Sequence, residues 1–192
     1  MGLAADDIAR SLRGSWRLMN DGAAALPDLD LSRHGFWRSF LALALMLPAM
    51  IALLAATRLQ AGLSNSAGLF AAPELAATVA GALLLAILIV PAFLVALRPE
   101  LAREGRFTSF VIAWNWAGIV SASLMAVPAA VFALGWSTPD LAAVQALAFG
   151  LIVLRLRYGA ARATFGDGGA ALLIALSSLL LDYGVARLFG LA

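Results

Sequence analysis

The chain has 192 residues, 63% of them hydrophobic and 12% charged, with a mean hydropathy of +0.94; an average soluble domain is about 45–50% apolar and about 25% charged. A water-soluble fold of this size cannot bury that much apolar surface, so the composition implies an all-α integral membrane bundle and excludes a disordered chain, a disulfide scaffold and a nucleic-acid-binding domain. The net charge of +2 rests on 13 basic residues that are all arginine, and with no cysteine and one histidine, His34, neither thiolate chemistry nor a histidine metal cluster is available.

Residues 5–20 place Ile8, Leu12, Trp16 and Met19 on one face of a helix and Arg10, Arg13 and Arg17 on the others, with Asp6 and Asp7 at its start, where the dipole favours anions. This pattern predicts an amphipathic helix in the inner-leaflet interface. Its apolar face would lie in the lipid and its arginines, with Arg38 further on, would meet anionic headgroups. Such a helix serves as an anchor or as a docking helix for a cytoplasmic partner. Asp21-Gly22 ends it and a loop over Pro27–Leu31 leads to the membrane. Residues 1–35 are thus expected to be a cytoplasmic segment and residues 36–192 a transmembrane domain.

A crossing takes about 20 mostly apolar residues. Five stretches qualify, at about 39–57, 73–97, 107–136, 138–156 and 170–190. The second opens on Pro73, a first-turn proline, with Glu74 at the positive end of the dipole. The third is too long for an upright helix, so it either tilts strongly or bends at Pro128 and lies partly along the outer surface. Thr138-Pro139-Asp140 caps the fourth. Gly166-Asp167-Gly168-Gly169 lacks the Lys-Ser/Thr of a phosphate loop and reads as a turn capping the fifth. The first apolar run starts near residue 39, so no secretory signal is expected. Arginines in successive flanks number 5, 1, 3, 0, 3 and 1, which places the N-terminus in the cytoplasm and the C-terminus outside, because cytoplasmic flanks carry the excess. Trp37 and Trp136 then fall at the inner and outer boundaries.

Polar groups inside the membrane are candidate functional residues by default. Counting helical rise brings Asn115, Ser121, Gln145, Ser177, Ser178 and Asp182 to a shared layer near the middle, with Asn115 meeting the serines and Asp182 meeting Gln145 and Ser121. Arg187 is badly placed to pair with Asp182, and burial without a full positive partner disfavours a carboxylate anion. Asp182 is open to three roles: interhelical glue, a proton or cation relay, and a contact to lipid or a partner. Pro48, Pro91 and Pro128 lie within spans and kink them. Small residues four apart, Ala77 with Gly81 and Ala113 with Ala117 and Ser121, permit close helix contact and self-association.

Gly35–Phe40, GFWRSF, and Phe110–Trp116, FVIAWNW, resemble segments of small polytopic inner-membrane proteins of proteobacteria that have no assigned function. The resemblance implies a bacterial inner-membrane location and no activity. A cytoplasmic N-terminus followed by five spans is also similar in layout to Yip1-type membrane proteins. The spans carry no histidine near a serine and no acidic cluster, so no catalytic residue, metal or cofactor is expected. The expected role is a non-catalytic inner-membrane component: an accessory subunit, scaffold or membrane-organising protein. Its partners would be the bilayer with its anionic lipids and a second copy or another membrane protein. The alternative is a small transporter or channel using Asp182, Asn115 and Gln145 along its pathway.

Overall fold

The computed structural model describes residues 5–60, 73–100 and 104–189, which are helical with no strand among them. The helices are α1 (Ala5–Asp21), α2 (Arg33–Ser39), α3 (Ala42–Gln60), α4 (Pro73–Leu97), α5 (Gly105–Ala133), α6 (Pro139–Phe165) and α7 (Gly168–Leu188), with a 3-10 turn at Gly22–Asp28. Among the described residues, four stretches, 33–60, 105–133, 139–165 and 168–188, are long and apolar enough to cross a membrane, and Leu84–Leu97 of α4 is apolar but shorter. The predicted connection over 61–72, Arg103, Gly190 and the side chain of Glu74 lie outside the described residues.

Local chemistry sets the boundaries. Thr138 Oγ1 accepts the Leu141 N–H at 3.3 Å, and Pro139 opens α6 without an amide to satisfy. Gly166, at φ +78°, closes α6 by donating to the Arg162 carbonyl at 2.8 Å. Asp167 then caps α7, accepting from the amides of Gly169 at 2.7 Å and Ala170 at 3.3 Å. Two expectations need correction. The fourth span does not stop near residue 156 but continues to Phe165, so Arg155, Arg157 and Arg162 ride on the helix instead of a soluble connection. The third is one continuous helix with Pro128 inside it. The first starts earlier, at α2, and resumes as α3 after a tightened turn in which the Phe40 and Leu41 amides donate to the carbonyls of Trp37 and Arg38.

Residues Phe110–Ala117 of α5 are buried on every face, as a run apolar all round requires. Helices α3 and α6 flank α5, and α7 packs on α6 and α4. At one end of the bundle the Phe110 ring lies 5.0 Å from that of Phe165, with Phe36 and Phe40 packed beside them, which brings together α2, the start of α5 and the finish of α6. At the other end the finishes of α3 and α5 meet the start of α6 around Thr57, Phe132 and Ala142. The outward faces are leucine: Leu147 and Leu151 on α6 and Leu173 and Leu180 on α7 are 68–75% exposed. A continuous exposed apolar face of that kind belongs in lipid.

The placement of α1 also departs from expectation. Ile8, Leu12 and Met19 pack against the bundle beside Leu18, Trp116, Leu156 and Ala160, and of the four residues expected to face lipid Trp16 alone is strongly exposed, at 42%. The reason is a face of small residues, Ser11, Gly14 and Ser15, that lets the helix approach closely. Gly159 of α6 meets it: a Cβ there would lie 2.6 Å from the Leu18 carbonyl oxygen.

Candidate functional site

A cavity of about 370 Å³ lies among α3, α4, α5, α6 and α7. Its walls are mostly apolar, from Met46 and Met50 of α3, Ala82 and Ala86 of α4 and Met125 of α5 among others. Arg157, Asp182, Asn115 and Ser121 interrupt them. A volume in this range, apolar apart from a few convergent polar groups, is typical of a small-molecule site.

The polar wall is built by the α6–α7 hairpin. Arg157 Nη1 lies 2.5 Å from Asp182 Oδ2 and also donates to Ser178 Oγ at 2.9 Å. Ser178 in turn donates to the Ala175 carbonyl at 2.7 Å, which fixes its hydroxyl. The guanidinium stands 5.6 Å from the Trp114 ring centroid, a cation–π contact from α5. Asp182 lies farther from the Gly166-Asp167 turn than Arg157 does, by about 9 Å of helix, and the long arginine side chain reaches across that difference. The premise that Asp182 lacks a positive partner is therefore overturned: Arg157 supplies one from the neighbouring helix. Ser178 and Trp114 add a hydrogen bond and a cation–π contact to the guanidinium beside its ion pair.

The other expected members of the layer divide. Asn115 is buried and donates from Nδ2 to Ser39 Oγ at 2.9 Å, a bond to α2 and not to the serines of α7. Ser39 passes its own proton to the Phe36 carbonyl at 2.7 Å. Asn115 and Ser121 line the cavity, but Asn115 Oδ1 and Ser121 Oγ are themselves buried and have no hydrogen-bond partner among the described residues. Gln145 is not among the cavity residues and does not meet Asp182; its Oε1 is buried without a partner. Ser177 is partly exposed on α7, beside Ser178 but outside the network of Arg157.

A second charged cluster joins α1 to α2 at the arginine-rich end. Arg38 is paired with Asp7, and Arg10 lies 2.8 Å from the same carboxylate. Arg17 bridges Asp21 at 2.7 Å and Asp28 at 2.6 Å. Of the four arginines expected on headgroups, Arg13 is exposed, whereas Arg10, Arg17 and Arg38 are engaged by carboxylates of this segment. The hydrogen bond from Arg38 holds the Asp7 carboxyl below the usual carboxylate range, and the Ser32 hydroxyl does the same for Asp30.

Sequence reasoning missed Arg157, Trp114 and Ser39. The sequence carries a signal for Arg157: a run unbroken by proline continues past Tyr158 to the Gly166 stop, and a midspan carboxylate calls for a cation on an adjacent helix. No protein-family model matches the chain, and no match was found to a curated protein or to a solved structure.

Proposed function

We propose that the protein is a non-catalytic, multi-pass membrane protein of the bacterial inner membrane that binds a small, mainly apolar solute inside its bundle, as a transporter or carrier does. The cavity that carries Asp182 and Arg157 on its wall is the observation behind this reading. An accessory subunit or scaffold is served equally well by a fully packed bundle, whereas a solute-binding protein requires such a space. In the same proposal α4 is a fifth crossing, the end of the bundle holding α1 and α2 faces the cytoplasm with α1 as an interfacial helix, and the C-terminus lies outside. The arginine distribution supports that orientation.

Methionine provides the test, because Met46, Met50 and Met125 line the cavity while Met19 of α1 packs against the bundle away from it. In protein carrying 13C-methyl methionine, held in phosphatidylcholine nanodiscs, titration with 1-hexanol is expected to shift the three cavity methyls saturably and to leave Met19 in place. Gly118 lines the cavity and a Cβ on it meets nothing within 4 Å, so Gly118→Leu projects its side chain into open space and is expected to abolish the shifts. Shifts that never saturate, or that persist in the filled variant, would refute the reading.

A further inference from the structure

Resting on the cavity-binding reading, we propose that the guest is an amphiphilic monocarboxylate, bound to Arg157 in exchange for Asp182 and taken up together with one proton. The argument starts from an asymmetry in the ion pair. The guanidinium does not lose its proton in proteins, while a carboxylate gains one readily. Only the Asp182 side of the pair can therefore be neutralised, and the member then released for a guest is the cation. A cationic guest would need the reverse, with Arg157 left charged and unpaired beside apolar walls, which low dielectric forbids.

The wall fixes the charge of the guest as well. Arg157 and Asp182 together are neutral, and Arg157 is the one permanent cation among the described residues lining the cavity, so the cavity accommodates one negative charge; a phosphate dianion would leave charge uncompensated. Among the described residues lining the space, the remaining titratable side chain is the Tyr183 phenol on α7. Helices α3 and α4 meet it with apolar side chains, and α5 brings Trp114, Asn115 and Ser121, none of which titrates. Arg187 lies farther along α7 and is not a cavity residue.

The exchange balances. The bond between Arg157 Nη1 and Asp182 Oδ2 opens, a proton from the aqueous phase forms an O–H bond on the Asp182 carboxylate, and the guanidinium donates to the incoming carboxylate oxygens. The net charge of the site is zero before and after. Trp114 and Ser178 keep the guanidinium in place through the exchange, since neither contact involves Asp182. The hydrocarbon body of the guest then lies along the methionines.

The test compares hexanoate, 1-hexanol and hexylamine by the same methyl shifts in zwitterionic nanodiscs, with calorimetry in two buffers of different ionisation enthalpy. Hexanoate is expected to bind at least about tenfold tighter than 1-hexanol at pH 6, to take up about one proton, and to weaken by up to about tenfold per pH unit above that. Asp182→Asn is expected to bind hexanoate with no proton uptake and a flat pH profile. Arg157→Gln is expected to bring hexanoate down to the level of 1-hexanol without altering 1-hexanol itself. Hexylamine binding as well as hexanoate, a flat profile in the unaltered protein, or an unchanged profile in Asp182→Asn overturns the proposal. The Asp182→Asn comparison decides it even if Arg157→Gln does not fold. Saturable 1-hexanol binding with no gain for hexanoate refutes this inference alone, whereas failure of all three probes refutes the cavity-binding reading with it.

Discussion

Arg38 shows how one side chain can fasten a segment that composition alone would leave on the lipid. Its guanidinium is mostly covered and pairs with Asp7 of α1, with the Asp30 charge also acting on it, and its Nε is buried without a hydrogen-bond partner among the described residues. Asp7→Asn should therefore loosen α1 from α2, and trypsin should cut after Arg10, Arg13 and Arg17 several-fold faster than in the unaltered protein. An unchanged cleavage rate would show that Asp7 does not hold the helix. Acid should act in the same direction. Because Arg38 keeps the folded-state pKa of Asp7 below its unfolded value, the contribution is complete above the usual carboxylate range and is lost as the pH falls through the depressed value. Hydrogen exchange of α1 amides, corrected for its intrinsic pH dependence, should rise there and should not do so in Asp7→Asn. In the sequence Asp7 is legible only as a residue favoured by the helix dipole, and Arg38 only as a snorkelling anchor, because ion pairs between distant helices leave no local pattern. The same applies to Arg157 and Asp182: the carboxylate announces itself by its place in an apolar run, and its partner does not.

At the scale of elements, α6 contains two glycines with opposite environments. A Cβ on Gly150 meets nothing within 4 Å, while one on Gly159 would lie 2.6 Å from the Leu18 carbonyl oxygen and 3.1 Å from Met19 Cα. Gly150→Ala should stabilise the protein by about 0.5–1 kcal/mol through lower backbone entropy in the unfolded chain. Gly159→Ala gains the same term but must push back rigid backbone, and overpacking of that kind costs about 1–3 kcal/mol, so the net change should be destabilising. Thermal unfolding of the two variants in one detergent should move the midpoint in opposite directions; a shared direction would mean that α1 is not seated on α6. The elements themselves were largely readable. The residues 73–97 expected for the second span are those of α4, and the Thr138-Pro139 start and Gly166-Asp167 turn stand where their chemistry puts them. The arginines over 155–162 suggest soluble chain, whereas α6 runs on through them, with Arg157 hydrogen-bonded within the bundle. Burial of one face of α1 against α5 and α6 was not legible, since an apolar stripe is compatible with lipid and with protein alike.

For the molecule as a whole, the alternating run of α3 to α7 gathers ten described arginines, Arg10, Arg13, Arg17, Arg33, Arg38, Arg98, Arg106, Arg155, Arg157 and Arg162, on the segments at the end that holds α1 and α2. Arg58 and Arg187 lie toward the other end. The guanidinium of Arg157 is the exception in direction, drawn inward by Asp182. The proposed orientation and the proposed fifth crossing can be tested together, because the chain has no cysteine and any introduced thiol is unique. Gln60 ends α3, Glu104 precedes α5 and Ser137 precedes α6. If α4 crosses, Gln60→Cys and Ser137→Cys share one side and Glu104→Cys lies on the other. Intact cells treated with a membrane-impermeant maleimide should then label the first pair, and Glu104→Cys together with Ala23→Cys only after permeabilisation. Were α4 to remain on one surface, Gln60→Cys and Glu104→Cys would label together and Ser137→Cys would not. Were Ala23→Cys to label in intact cells, the whole bundle would be inverted, and the arginine-rich end would face away from the leaflet whose anionic lipids it suits.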